Sequence, residues 1–431
     1  MKKSSLPGVH TLRVEKLIYG GMGLARLGGR VLFVPGSLPG EVVQASVEED
    51  RGDYLRGRLL AVCEASRLRR EPSCPYYEDC GGCHLQHLQD EEQLASKVDV
   101  LMEMLRRQLR QMEIPDPIPI AGPPWRYRRS ARFQLQWLPE LKIGFYQPRS
   151  RHLVDLRQCP LLCPALNDSL ARFRSQAKSI DIKEIHKAVG WKTISTWEGG
   201  ETLSVLLDRP AHRDEEPKVL SYISEEASNL RAHPPGRDFA LQDRVGRWQY
   251  RIHPLSFFQA NGFLAPRLLE LVEEHCRTSG SRSLAVDLYA GSGFFTLPLS
   301  AHFSRTVAVE KEPLAARLAE ENARMNACRG IDRAFCTVEE WIQAEQMQAK
   351  AAIDLLLVDP PREGLGRAVS EWVLRKAPQR ILYVSCSPPT LARDLKRWEQ
   401  AGSYRMVQLY CLDLFPQTFH LETVAVLDRM E

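Results

Sequence analysis

The sequence predicts a chain that ends in an open, doubly wound α/β domain of the Rossmann-like class, preceded by a small β-barrel and a mixed central domain. Three observations carry this. From about residue 253 onward, helical patterns alternate with the runs Leu284-Ala285-Val286-Asp287-Leu288, Thr306-Val307-Ala308-Val309-Glu310, Leu355-Leu356-Leu357-Val358-Asp359 and Arg380-Ile381-Leu382-Tyr383-Val384-Ser385. Near-continuous apolar strands belong to a parallel sheet covered on both faces. From about Gly8 to Cys63 the pattern has period two, broken by Tyr19-Gly20-Gly21-Met22-Gly23 and ending one strand in Val34-Pro35, as in a small barrel. Between them lie a cysteine knot from Cys74 to Cys83 and strand-like runs from about Trp125 to Arg251. The expected division is therefore 1–64, 65–252 and 253–431. A helix is expected over about 90–112, with Leu94, Val98, Leu101 and Leu105 at helical spacing. This helix is free to pack on the last domain. The run Ile114-Pro115-Asp116-Pro117-Ile118-Pro119 ends it and reads as a linker.

A chain of 431 residues is two to three times the size of a common domain, which agrees with this division. It has no tract of eighteen apolar residues, so no membrane partner is expected. Met1-Lys2-Lys3-Ser4-Ser5-Leu6-Pro7 lacks an apolar leader core, which places the expected site of action in the cytoplasm, as a monomer. There the eleven cysteines stay mostly reduced, and clustered ones point to metal or catalysis rather than disulfides. A formal charge of +4 is mild, so any nucleic-acid footprint must be a local patch.

The segment from Val286 through Gly291-Ser292-Gly293-Phe294-Phe295-Thr296 reads as strand, glycine turn and helix start, at the carboxyl edge where open α/β sheets bind ligands. Val309-Glu310 puts a carboxylate at the end of the next strand, where it can accept both hydroxyls of a ribose. A dinucleotide fold shares that feature. Gly-Ser-Gly followed by Phe-Phe lacks the third glycine of a pyrophosphate fingerprint, so S-adenosylmethionine fits better.

Asp359-Pro360-Pro361-Arg362 and Ser385-Cys386-Ser387-Pro388 end two further strands and so share that edge. A lone cysteine is most often a small buried hydrophobe, but Cys386 sits in a polar turn. Near the chain end, Phe415-Pro416-Gln417-Thr418-Phe419-His420-Leu421-Glu422 supplies a histidine and a glutamate, residues that elsewhere would more often decorate a solvated loop. Carbon 5 of uracil is a poor nucleophile. A thiolate adding at carbon 6 makes an enolate whose carbon 5 can attack a sulfonium methyl, and a base must then remove the carbon 5 proton. Cys386 and Glu422 meet the two demands on the protein.

Taken together, Phe257-Phe258-Gln259-Ala260-Asn261, the Asp287 to Thr296 turn, the Asp359 and Cys386 motifs and the Phe415 to Glu422 segment resemble the RNA 5-methyluridine methyltransferases, in order and spacing. The resemblance covers nearly the whole chain. It implies a class I methyltransferase domain, Cys386 as nucleophile, Glu422 as base, and Gln259, Tyr289, Glu310 and Asp359 as S-adenosylmethionine-binding positions. Residues about 8–64 are similar to the TRAM domain, an RNA-binding barrel. Cys74, Cys80, Cys83 and the distant Cys159 resemble the [4Fe-4S] ligands of the 23S ribosomal RNA branch, so 23S ribosomal RNA is the expected partner, with transfer RNA as the alternative. Phe294 and Thr337-Val338 depart from the family pattern at cofactor contacts.

By itself, Cys74-x5-Cys80-x2-Cys83 supplies three thiols and leaves iron–sulfur and zinc both open, although zinc sites more often show paired two-residue spacings. The resemblance favours iron–sulfur, and Gln158-Cys159-Pro160 over Cys163 as the fourth ligand. A radical mechanism would need a three-then-two cysteine spacing, which is absent, so the cluster reads as structural. Trp125-Arg126-Tyr127-Arg128-Arg129-Ser130-Ala131-Arg132-Phe133 interleaves aromatic and basic residues on an expected strand, as an RNA surface or an amphipathic edge would, and Ser66-Arg67-Leu68-Arg69-Arg70 would extend the patch. Two other activities compete: an amino-group methyltransferase, which would use Asp359-Pro360-Pro361 without a cysteine, and a non-catalytic RNA chaperone.

Overall fold

The period-two pattern of the first 64 residues becomes six strands, Val9–Arg13, Lys16–Ile18, Met22–Leu27, Arg30–Pro35, Val42–Asp50 and Tyr54–Glu64. Three register shifts between the two longest bend that pair, and the sheet rolls around Leu12, Val14, Leu32, Val34, Val43 and Leu55. The structure, a computed structural model, describes residues 8–137, 139–177, 185–208, 218–226, 229–233, 239–348 and 352–430. Residues 1–7 and most of the polar loop between Asp208 and Lys218 lie outside them.

The central part is a seven-stranded antiparallel sheet, ordered Leu153–Asp155, Lys142–Tyr146, Ser130–Gln136, Ala188–Ser195, Thr202–Asp208, Val219–Glu226, Asn229–His233. Helix Pro164–Gln176 covers it, and Phe145, Phe133, Trp191 and Phe173 stack in series with ring centroids 4.5–5.2 Å apart. Hairpin Leu241–Val245/Trp248–Ile252, which the sequence assigned to this part, instead buries Val245, Trp248, Tyr250 and Ile252 with helix Ala265–Arg277 of the last domain.

The last sheet runs Ile331–Ala334, Arg305–Val309, Leu284–Leu288, Leu355–Val358, Arg380–Ser385, Glu422–Arg429, Tyr404–Leu412, Ile118–Ile120. The first five are mutually parallel, and Glu422–Arg429 runs antiparallel to both neighbours. Alternate residues serve opposite faces: Val286, Leu356, Val358, Ile381 and Tyr383 join one core, while Ala285, Leu355, Leu357, Leu382 and Val384 join the other. This double burial is why the strands read as unbroken apolar runs. Strand order reverses between Leu284–Leu288 and Leu355–Val358, so the crevice opens at their carboxyl ends.

Helix Asp90–Gln108 seats Leu94, Val98, Leu101 and Leu105 in the same core as Leu391, Leu395 and Trp398 of helix Pro388–Ala401. It stops four residues before the expected end because Glu399 accepts the backbone N–H groups of Gln111 and Met112, both at 2.7 Å. The proline run is no simple linker either. Ile118–Ile120 forms the edge strand beside Tyr404–Leu412, a place open to Pro119 because an edge strand can leave one side of its backbone unpaired.

Candidate active site

The glycine turn is held by its backbone. Tyr289, Gly291 and Gly293 all have positive φ (66°, 55° and 82°), and a β-carbon on Gly293 would press on Ala319 at 3.3 Å. For Tyr289 this conformation is unfavourable and is maintained by its surroundings. Its ring is half-buried against the core. Glu310 accepts the N–H of Gly291 (2.9 Å) on one carboxylate oxygen and that of Glu312 (2.7 Å) on the other. Each oxygen keeps a lone pair, so the carboxylate is fixed and still able to accept two hydroxyls.

Sequence reasoning passed over Asp287 itself. It is fully buried, accepts the Thr296 hydroxyl at 2.5 Å on Oδ2, and its Oδ1 has no hydrogen-bond partner among the described residues. Burial first, then repulsion from Asp359 and Glu310, pushes its carboxyl up to about 7. Asp359, half-buried at the next strand end, is pushed up to about 7 by burial. An orphaned buried oxygen among carboxylates fits a cationic ligand, and with Glu310 poised for a ribose the donor set fits S-adenosylmethionine. Gln259 is buried in a strap whose neighbours reach both sides of the crevice: Phe258 packs on Phe294, and Asn261 donates to the Leu414 carbonyl at 3.0 Å.

The two positions that depart from the family pattern have local roles. Phe294 is core, ringed by Tyr250, Phe258 and Phe295. Thr337 caps helix Val338–Gln348, exchanging hydrogen bonds with Glu340 in a capping box, and Val338 is buried.

Strand pairing brings the two residues nominated for the chemistry together. The antiparallel register Ser385↔Thr423 leaves Cys386 and Glu422 flanking that pair at the carboxyl edge. Burial pushes the Cys386 thiol up to about 11; Glu422 and Asp359 add to this and Arg362 opposes it. Glu422, itself buried, is held well above the usual carboxylate range by burial and by Asp359, again against Arg362. Arg362 is therefore the cation that opposes both shifts, although the sequence marked it only as the end of a motif. His420 approaches it, with Nε2 3.5 Å from the guanidinium, and burial holds the imidazole down to about 3, so it is neutral.

The segment before Glu422 is fastened from outside its own domain. Lys97 donates to Asp413 (2.7 Å) and to the Phe415 carbonyl (3.1 Å). Gln93 accepts the backbone N–H of Gln417 (2.7 Å), and the Gln417 side-chain amide donates to Asp90 (2.5 Å). The Gln417 carbonyl accepts the N–H groups of His84 and Leu85 at 2.8 and 3.0 Å, directly after the cysteine knot.

Cys74, Cys80, Cys83 and Cys159 line one cavity walled by Phe145, Leu156, Leu161 and Leu162. Burial pushes Cys80 up to about 11 and Cys83 up to about 12 and also raises Cys159, with further increments from the neighbouring thiols. The Asn167 side chain clamps Cys159 from both sides, donating to its carbonyl and accepting its N–H. Cys163 belongs to the central core instead. Four thiols gathered in an apolar cavity fit a group whose positive charge displaces their protons.

The interleaved aromatic–basic stretch is corrected by the structure. Tyr127, Arg129 and Phe133 are fully buried, with Arg129 paired to the buried Asp243 and donating to the Ser195 carbonyl, so none of the three can meet RNA. Arg126 and Arg132 remain exposed. Arg69 and Arg70 are likewise engaged, with Glu41 and Asp90.

Comparison with known proteins agrees with this geometry. The tRNA (Uracil-5-)-methyltransferase family model matches residues 237–430, and the TRAM domain model matches residues 9–60. An RNA methyltransferase of Aquifex aeolicus is 35% identical across 97% of this chain and 98% of its own. A 23S rRNA (uracil(1939)-C(5))-methyltransferase of Legionella pneumophila is 28% identical across 97% of each. Among solved structures, the Pyrococcus abyssi tRNA (uracil-54, C5)-methyltransferase in complex with S-adenosyl-L-homocysteine superposes with a TM-score of 0.72 over 97% of this chain and 100% of that one, at 24% identity. The fold, the crevice and a relative aligned over almost its whole length place this chain in the RNA (uracil-5-)-methyltransferase family, behind an amino-terminal TRAM domain.

Proposed function

We propose that the protein methylates carbon 5 of a uridine in 23S ribosomal RNA, with Cys386 as nucleophile and Glu422 as base. The observation that carries this is the strand register that seats Cys386 next to Glu422 on the same edge as the glycine turn and Glu310. When bound, S-adenosylmethionine supplies an electrophilic methyl on a positively charged sulfur. Glu310 would hold the ribose, Asp287 and Asp359 would meet the cationic part, and Gln259 and Tyr289 would complete the donor's side of the crevice. Cys386 adds as thiolate to carbon 6 of the uracil, favoured by the adjacent Arg362. Once the enolate's carbon 5 has taken the methyl, Glu422 takes the carbon 5 proton, and the bond from carbon 6 to sulfur breaks to release the thiolate.

The activity named for the Legionella relative supports the ribosomal target. So does the four-thiol cavity, whose resemblance is to that branch. We read the cavity as an iron–sulfur site, because Cys74-x5-Cys80-x2-Cys83 lacks the paired two-residue spacings more common at zinc sites. A polynuclear cluster accepts thiols at separated corners. Cys74, Cys80, Cys83 and Cys159 would hold it, fixing the loop that clamps Gln417.

Purified protein should transfer a labelled methyl to a 23S transcript, with 5-methyluridine as product, and Cys386→Ala should abolish transfer. Full activity in Cys386→Ala would return the amino-group reading, transfer RNA as the sole acceptor would move the substrate, and RNA binding without S-adenosylmethionine binding would favour the chaperone.

A further inference from the structure

Glu422 closes a hairpin. Leu412 and Glu422 are the last pair between strands Tyr404–Leu412 and Glu422–Arg429, so the loop 413–421 joins them and its conformation sets where the Glu422 carboxylate lies. Gln417 is the midpoint of that loop. It is fully buried, and its backbone is left-handed at φ 67°, a conformation that a residue other than glycine keeps only where its surroundings impose it. Those surroundings come from far upstream in the chain. The Gln417 N–H donates to Gln93 Oε1 (2.7 Å), and its carbonyl accepts the N–H groups of His84 and Leu85 (2.8 and 3.0 Å). Its side-chain Nε2 donates to Asp90 (2.5 Å), while Oε1 accepts from Gln93 (2.9 Å) and Arg70 (3.1 Å). One residue earlier, the buried Tyr127 hydroxyl donates to the Pro416 carbonyl at 3.1 Å. Toward Glu422 the loop is tight: the Thr418 hydroxyl donates to the Phe415 carbonyl (2.7 Å) and accepts the His420 N–H (3.2 Å), and Leu421 is buried in the core. The Cys386 turn has its own supports. The Ser387 N–H donates to the Ser385 hydroxyl (3.1 Å), and the Ser387 carbonyl accepts from Thr390 and Leu391 of the helix that follows.

We propose that Gln417 is a positioning residue for the proton-removal step: anchored by Asp90, Gln93, His84 and Leu85, it holds the hairpin loop that aims Glu422 at carbon 5. The inference rests on Cys386 being the nucleophile and Glu422 the base. The two halves of the reaction then depend on it differently. Addition of the thiolate and transfer of the methyl use Cys386 and the donor. Only afterwards does the carbon 5 proton pass to Glu422, while the electron pair of the bond from carbon 6 to sulfur returns to sulfur. A base that loses its aim slows this second half alone. Gln417→Met keeps the length of the side chain and both backbone groups and removes only the amide.

The test separates the halves on a denaturing gel, at saturating RNA and S-adenosylmethionine. Trapping on a 23S transcript made with 5-fluorouridine, where no proton can leave carbon 5, reports addition and methyl transfer. Decay of the S-adenosylmethionine-dependent adduct on the ordinary transcript reports proton removal. Gln417→Met should trap the fluorinated transcript at the wild-type rate, yet release the ordinary one on the order of tenfold to a hundredfold more slowly, with adduct accumulating during turnover. Tyr127→Phe removes one hydrogen bond to the same loop and keeps the ring, so it should slow release alone by roughly three- to tenfold, and it decides the matter if Gln417→Met does not fold. Equal slowing of trapping and release would make the clamp a support of the fold only, and release at the wild-type rate would show that Glu422 needs no such hold; either result overturns the inference. Failure of wild type to trap the fluorinated transcript, or of Glu422→Gln to accumulate adduct on the ordinary one, would instead refute the nucleophile or the base, and this inference with it.

Discussion

Lys97→Met should destabilise the protein by about 3–5 kcal/mol, the range for breaking a buried ion pair from one side. The pair is almost dry: the Lys97 and Asp413 side chains are 3% and 7% exposed, and Nζ lies 2.7 Å from the carboxylate. Against a typical total of roughly 5–15 kcal/mol this is a large fraction. The loss should depend on pH in a definite direction. Burial already raises the Asp413 carboxyl, and Lys97 is what holds it down, with Asp90 adding repulsion. Without Lys97 the folded-state pKa climbs further above its unfolded value. A raised carboxyl contributes stability below the unfolded pKa and loses it as pH rises through the folded one, so the penalty should be smaller at about pH 5.5 than at about pH 8. Replacing both residues, as Lys97→Met with Asp413→Leu, should recover most of it. Urea midpoints at the two pH values, read by tryptophan fluorescence, measure this. A single variant within about 1 kcal/mol of wild type at the higher pH, or a loss independent of pH, would refute the argument.

Glu422→Gln should accumulate a protein–RNA adduct that requires S-adenosylmethionine and persists on a denaturing gel, because the carbon 5 proton has no acceptor; turnover near wild type without that band would remove Glu422 from the mechanism. Because burial pushes the Cys386 thiol up to about 11, its alkylation by iodoacetamide in ligand-free protein should rise about tenfold per pH unit through pH 9 without a plateau, as followed by peptide mass spectrometry; a plateau near neutrality would contradict the environment described. Cys80→Ser should remove iron from anaerobically purified protein and, because His84 and Leu85 hold the Gln417 carbonyl, should slow methyl transfer as well as weaken RNA binding; zinc rather than iron by elemental analysis would defeat the cluster assignment.

What the sequence revealed follows from where its physics is local. The strands of the last sheet were legible because both faces are buried, and the glycine turn because few backbones can bend there. Cys386 and Glu422 could be nominated from chemistry alone, but their adjacency depends on an antiparallel strand inserted into a parallel sheet. The errors share one cause. Helix Asp90–Gln108 ends early because of a carboxylate at Glu399, and Arg129 is lost to RNA because of Asp243, 114 positions away. The clamp on Gln417 is likewise long-range, and no periodicity announces it. Pro119 reads as a chain breaker until an edge strand makes its missing N–H harmless.

The carboxylates of the crevice act as a charge reservoir. Asp287 feels Asp359 and Glu310, and Glu422 feels Asp359, with Arg362 the opposing cation at the reacting end. Burial pushes both Asp287 and Asp359 up to about 7. A cation bound among them lowers every one of these affinities. On the proposed mechanism, methyl transfer would turn the sulfonium into a neutral thioether, the carboxylates would regain proton affinity at that moment, and Glu422 would be the stronger base when the carbon 5 proton has to leave. Calorimetry at about pH 7 in buffers of different ionisation enthalpy counts the protons released. S-adenosylmethionine should release more than S-adenosylhomocysteine, which carries the same ammonium and carboxylate but no sulfonium. Equal proton counts for the two would mean that the sulfonium does not sit within reach of this chain of carboxylates.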